Sequence, residues 1–428
     1  MNSVSGAVRS LGAVTVGATV ANVAAYLVAI PASRSLGAVD YGVFGIVMAA
    51  MVVVAAPSMA VQAVIAREVV HGRTDVKPLA VRTAVLVATF AVVAGMILVP
   101  ILRIPVAAAT AGLVMAPLIV LTAAGQGILQ GHGEFGRLGW LLALVGVLRA
   151  GPMIVAVLLD ASAVGALWAG AAGTLAAALL SWRWANLPQS SESVGSEGVL
   201  PSAPAVSEDF GTRAGVLDVL GASQVQLALL VAVSLDLLLA RVVLSETDAG
   251  LYALGAVVTK AAFWLPQAVG TVVYPRLAAP GSTPGSLRKA FGVVTGIGAV
   301  VVGATWVGAP LVPHVVGAEY RPIVGILWVF AAAGAVFAVL ALLLLAVIAV
   351  RRTVIGIAVW VLVAGQAAAI LAWAHSVATL VGIAAVSATI ITTVCVAALA
   401  LGSRSSRRAS PSAGAGRESH SQSAGRRG

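Results

Sequence analysis

Twelve apolar segments, each about as long as a helix that crosses a lipid bilayer, leave this chain few possible folds. They lie near residues 11–31, 43–65, 79–102, 105–129, 138–159 and 162–181, and again near 215–243, 249–273, 290–313, 322–349, 354–374 and 377–401. Inside a bilayer the backbone must satisfy its own donors and acceptors, which leaves helices or closed barrels. A spanning helix needs roughly 20 apolar residues, whereas a barrel strand shows about ten that alternate. The segment length selects helices. Composition agrees, with 60% of the residues hydrophobic and 9% charged, against about 25% charged in a soluble domain. The expected fold is an all-α integral membrane protein of about twelve transmembrane helices. The first segment, after Arg9, reads as a retained helix and not as a signal peptide, because many spans follow.

The basic residues divide by side. With twelve spans, one face collects Arg9, Arg67, Arg73, Lys77, Arg82, Arg137, Arg183, Arg213, Arg276, Arg288, Lys289, Arg351, Arg352 and the six arginines after Gly402. The other face has Arg34, Arg103, Arg241 and Arg321. Nineteen against four puts both termini in the cytoplasm of a multi-pass protein of the plasma (inner) membrane. The same asymmetry accounts for the net charge of +10 without a nucleic-acid partner.

Short matches recur between the two halves. LGAVDYGVF at 36–44 parallels LSETDAGLY at 244–252, pairing Leu36 with Leu244, Asp40 with Asp248, Gly42 with Gly250 and Phe44 with Tyr252. Pro57 and Arg67 then correspond to Pro266 and Arg276, and Leu-Val-Pro at 98–100 recurs at 311–313. Their preserved order indicates a duplicated six-helix unit. Six is even, so both copies share one orientation and are related by an axis along the membrane normal, with a substrate path between them. The expected organisation is an N-terminal six-helix lobe over 1–181, a cytoplasmic linker over 182–213 and a C-terminal lobe over 214–401. A disordered basic tail over 402–428 completes it. Linker and tail are rich in Ser, Pro, Gly or Arg.

Charge inside a span marks function, because it costs about 2.5–3.5 kcal/mol at the bilayer centre and must face a cavity or a partner. Arg149, three residues before Pro152, and Lys260 fall near the middle of the fifth and eighth spans, and Asp236 falls in the outer part of the seventh. One reading is a basic cavity for an anionic group. The other is a structural Lys260–Asp236 pair, with Arg149 satisfied by carbonyls that Pro152 frees. Amides such as Gln62, Gln126 and Gln267 suit a hydroxyl-rich substrate, or join helices by hydrogen bonds. Trp182, Trp184, Trp306, Trp328 and Trp373 read as interface anchors. One cysteine, Cys395, and five scattered histidines supply neither a disulfide nor a metal site. No phosphate-binding loop, nucleophile–base pair or cofactor motif is present.

These motifs resemble the oligosaccharide flippases (polysaccharide biosynthesis proteins) of the multidrug/oligosaccharidyl-lipid/polysaccharide exporter superfamily, a MATE-like group. The resemblance rests on LGAVDYGVF at 36–44, QAVIARE at 62–68, LQGHGEFGRLG at 129–139 and Arg149 in the first half. In the second half it rests on Asp236, AGLY at 249–252, YPR at 274–276 and GAEY at 317–320. It implies a transporter, not an enzyme, that moves a polyprenyl-pyrophosphate-linked oligosaccharide to the outer leaflet by alternating access between two lobes. Arg149 and Lys260 would then hold the pyrophosphate. Its partners would be the lipid-linked oligosaccharide, membrane lipid, and the glycosyltransferases or polymerase of polysaccharide synthesis. Two alternatives are a cation-coupled multidrug exporter, which needs embedded carboxylates, and a membrane-embedded glycosyl or polymer ligase, which needs a larger outer loop.

Overall fold

The computed structural model describes the backbone of residues 2–73, 75–188, 214–277, 285–348 and 353–408, and side chains within 12–73, 75–188, 224, 226–266, 291–344 and 359–397. The first half holds α1 (Asn2–Leu27), α2 (Ala29–Val70), α3 (Lys77–Leu102), α4 (Val106–Gly131), α5 (Phe135–Leu158) and α6 (Ala163–Ala185). The second half holds α7 (Ala214–Val243), α8 (Glu246–Leu277), α9 (Gly285–Gly308), the short α10 (Val312–Val316), α11 (Leu327–Ile348), α12 (Thr353–Trp373) and α13 (Val377–Arg408). Apart from α10, even the shortest of these, α12, has 21 residues. Among the described residues, ten helical stretches are long and apolar enough to cross a membrane. The first of them, Gly12–Val70, takes in α1 from Gly12 onward and all of α2, and Val359–Trp373 in α12 is a shorter apolar helix. The chain is an all-α, multi-pass membrane protein.

Both halves pack on one plan. In the first, α1 lies on α5, α2 and α3 on α4, and α4 and α5 on α6. In the second, α7 lies on α12, α8 and α9 on α11, and α11 and α12 on α13. The same pairs recur in the same order, as a duplicated unit requires. The lobes meet chiefly through α2, which packs against α8 and α7.

Small residues allow these approaches. A Cβ at Gly139 would stand 2.5 Å from the carbonyl carbon of Ala13, which puts the backbones of α1 and α5 in direct contact. Lipid offers apolar side chains as good a solvent as other helices do, so close backbone packing must join the helices instead. The large apolar side chains point outward in consequence: on α3, Leu86, Phe90 and Met96 are all exposed.

Three boundaries differ from the sequence reading. The stretch 32–42, read as a connection, belongs to α2, which begins at Ala29 and is interrupted at Gly37 (φ 68°, ψ 169°). That conformation is open essentially to glycine alone. In the second half the apolar stretch from Pro322 lies in a candidate span, Ala318–Leu344, but its first part, Ala318–Ile326, is a 3₁₀ helix that follows Gly317 (φ 134°). At the C-terminus α13 continues to Arg408, into the stretch read as tail. α6 ends at Ala185, its turn closed by Asn186 Nδ2 donating to the Trp182 carbonyl at 2.7 Å. The rest of the expected linker, 189–213, and the tail beyond 408 lie outside the described residues.

Candidate functional site

A cavity of about 140 Å³ opens within the first lobe between α2, α4 and α5. Ala55, Ser58, Met59 and Gln62 line it from α2, Ile119, Thr122, Ala123 and Gln126 from α4, and Val145 and Arg149 from α5. Three of the sequence-predicted residues, Arg149, Gln62 and Gln126, therefore share one pocket. It lies in the basic half of the bundle, since Gln62 is eight residues from the end of α2 and Gln126 five from the end of α4.

Glycine contacts fix the walls. A Cβ at Gly127 of α4 would stand 2.6 Å from the Gln62 carbonyl oxygen, so α2 and α4 touch beside the pocket. On the opposite wall Pro152 removes the N–H that would bond the Leu148 carbonyl. Gly173 of α6 covers that carbonyl: a Cβ there would stand 3.0 Å from the Leu148 carbonyl carbon and 3.2 Å from Pro152 Cγ. The carbonyl freed by the proline thus faces α6. Arg149, the next residue, faces the pocket.

The pocket's polar groups are unequal. Ser58 and Thr122 are buried and turn their hydroxyls back to their own helices, donating to the Val54 and Leu118 carbonyls at 3.0 and 2.8 Å. Gln62 donates its amide to Gln130 Oε1 at 3.0 Å, which holds α2 to the end of α4. Gln126 is buried. Arg149 makes no ion pair among the described residues, and no carboxylate lines the pocket. Chemically, the site offers a five-donor guanidinium among neutral amides, hydroxyls and methyl groups. Such a fork matches the oxygens of a phosphate or carboxylate.

Asp236 and Lys260 stand apart from this pocket, in the second lobe. Asp236 is 3% exposed and does not form the close pair with Lys260 that sequence reasoning offered, since no ion pair joins them within 4.0 Å. Lys260 remains within electrostatic reach. The carboxylate instead accepts from the Tyr252 hydroxyl at 2.5 Å and the Leu237 amide at 2.8 Å. Tyr252 was missed as its partner; the signal was a tyrosine less than two turns into α8, opposite Asp236 across the tight α7–α8 turn. Beside it Arg241, 6% exposed, pairs with Glu246 at 2.6 Å. The side chain of Gln267 lies outside the described residues. Among the described residues, no group of three His, Cys, Asp or Glu could hold a metal ion.

No family model matches the sequence, and no curated protein matches it. Solved structures do. A multidrug resistance MATE family transporter of the MOP superfamily, in its inward-facing conformation, is 15% identical, covers 88% of this chain and 94% of its own, and superposes with a TM-score of 0.60. An outward-facing structure of such a transporter is 14% identical, covers 94% of this chain and 97% of its own, and gives 0.50. A MOP superfamily transporter from Pyrococcus furiosus is 16% identical, with coverage of 92% and 95% and a TM-score of 0.50. The chain has the twelve-helix, two-lobe fold of the MATE transporters.

Proposed function

We propose that this protein is a flippase of the plasma membrane. It carries a polyprenyl-pyrophosphate-linked oligosaccharide from the inner to the outer leaflet for cell-surface polysaccharide synthesis, by alternating access between its two lobes. The observation that carries this reading is the sign of the pocket: Arg149 stands in it with no counter-ion among the described residues, and the other polar groups that line it are neutral. A cation-coupled drug exporter needs the opposite, an embedded carboxylate facing its cargo. The Pyrococcus furiosus transporter offers a precedent for this logic, since the reversed polarity of its binding pocket was taken to suggest a different function.

Size refines the assignment. A cavity of about 140 Å³ is close to the roughly 150 Å³ that accommodates a benzene-sized guest. It admits the anionic diphosphate, and the glycan then lies in the space between the lobes. Lys260 would meet the substrate from the second lobe, and Gln62, Gln126 and Gln267 would serve its hydroxyls. Alternating access is favoured because similar folds have been solved in inward- and outward-facing states. The segment after α6 then joins the lobes on the cytoplasmic side. Glycosyltransferases or a polymerase would meet the substrate on either side.

Mass spectrometry of the lipid extract from a deletion strain tests the reading. One complete polyprenyl-pyrophosphate glycan should accumulate, wild-type protein should clear it, and normally inserted Arg149→Ala should not. An unchanged lipid pool together with altered drug susceptibility would transfer the chain to the exporter class.

A further inference from the structure

The basic-poor end of the molecule, which the charge distribution assigns to the outside, is where the lobes share one core. Val28, Ala32, Tyr41 and Phe44 of the first lobe belong to the same buried cluster as Leu237, Tyr252, Tyr320 and Phe330 of the second. Deeper in, the clusters around Ile65 and around Leu141 draw on first-lobe residues alone, and the cluster around Phe337 takes in one buried first-lobe residue, Ala56. Within the shared core α2 and α8 cross at equivalent residues. A Cβ on Gly42 would stand 3.1 Å from the Gly250 nitrogen, and one on Gly45 would stand 2.9 Å from the Ala253 Cβ. Both pairs differ by 208 residues, the same interval that relates the duplicated motifs. The seam thus brings repeat-related positions of the two lobes together.

One side chain reaches across it. Tyr320, fully buried, comes from the 3₁₀ segment of the second lobe and sets its ring edge-on to Tyr41 of α2, at a centroid distance of 6.3 Å. Its hydroxyl donates to the Ser33 carbonyl at 3.4 Å. None of the ion pairs among the described residues crosses the seam. The contact is tight enough to exclude water, yet it is made of smooth glycine backbone, ring edges and a long hydrogen bond. On α2 the pocket residues Ala55 to Gln62 lie 13 to 20 residues beyond Gly42, about 20–30 Å along the helix. Seal and pocket thus occupy different depths of one helix.

We propose that the Gly42–Gly250 and Gly45–Ala253 seam, latched by Tyr320 on Ser33, is the outer gate of the transport path, closed in this structure and parted once in each cycle. The proposal rests on the transporter reading and supplies the moving part that such a transporter needs.

Cysteine chemistry tests it, because Cys395 is the only native thiol and is replaced by alanine first. In that background Gly45→Cys with Ala253→Cys brings two Cβ atoms to 2.9 Å, so the helices need part by only about 1 Å to reach the roughly 3.8 Å of a disulfide. Oxidation should cross-link the pair and stop clearance of the lipid-linked glycan, and reductant should restore it; each single variant should clear glycan at a rate that the oxidant does not change. Full export by quantitatively cross-linked protein would overturn the gate and leave the flippase reading intact. A second measurement needs no cargo. In cells carrying Gly45→Cys alone, a membrane-impermeant maleimide should label the thiol from outside, and Tyr320→Phe should accelerate labelling several-fold. Complete protection of that thiol in properly inserted protein would show a permanent joint instead of a gate.

Discussion

Replacing Gly173 by alanine should unseat Arg149 from a distance, without touching the pocket. The added methyl would stand 3.0 Å from the Leu148 carbonyl carbon and nearer still to its oxygen, with Pro152 Cγ at 3.2 Å. Relaxed contacts of this kind need about 3.5–4.0 Å, so α5 and α6 must part by roughly 1 Å at this level. The clashing atoms are backbone and a proline ring, which cannot swing aside as a flexible side chain would. Overpacking of this kind costs about 1–3 kcal/mol. Arg149 follows Leu148 directly, so the strain falls on the backbone that aims its guanidinium. A control lies two residues beyond Arg149: a Cβ at Gly151 meets nothing within 4 Å. Gly151→Ala should be neutral or should stabilise by about 0.5–1 kcal/mol, since glycine is a poor helix former. Thermal unfolding of the detergent-purified variants, read together with glycan clearance, separates the two. Gly173→Ala should lower the midpoint and impair clearance, whereas Gly151→Ala should do neither. Equal behaviour of the two alanines would refute the packing argument.

Further outcomes follow from the same geometry. Arg149→Lys keeps the charge but not the fork, so clearance should fall well below wild type yet remain above that of Arg149→Ala, as initial rates in the complemented strain would show. Tyr252→Phe removes a donor from the buried Asp236 carboxylate and should cost about 1.5–3 kcal/mol; adding Asp236→Asn should recover part of the lost thermal midpoint. Arg241→Ala should destabilise more than Glu246→Gln, because the arginine side chain is 4% exposed and its partner 58%, and a pair with an exposed member is worth only about 1 kcal/mol or less. Gly37→Ala forces a Cβ into φ 68°, ψ 169° and should cost about 1–3 kcal/mol, visible as a lower melting point.

Hydropathy carried the helix count and the in-register duplication, because bilayer thickness fixes segment length and a repeat preserves order. It misread 32–42 as a connection, and it did not show that the span read from Pro322 opens in a 3₁₀ helix. A break at a single glycine, or a helix wound more tightly, changes hydrogen bonding without changing which residues are apolar. Within the site, Arg149, Gln62 and Gln126 were legible because polar groups inside apolar spans are expensive and need a reason to be there. The partner of Asp236 was not, since Coulomb's law favours the lysine while the packing of α7 on α8 presents Tyr252. The outer seam was half legible: the matched Gly42 and Gly250 stand in plain sequence, but nothing in one dimension says that they touch.

That touching has an evolutionary consequence. In a chain carrying one copy of the repeat and assembled as a two-fold dimer, each substitution at an axial position appears twice at one point in space. A single added methyl there becomes two methyls meeting head-on. Once the copies are fused the positions vary independently, and the seam records it. Gly42 still faces glycine, whereas Gly45 faces Ala253, an asymmetric pair that no homodimer could have encoded.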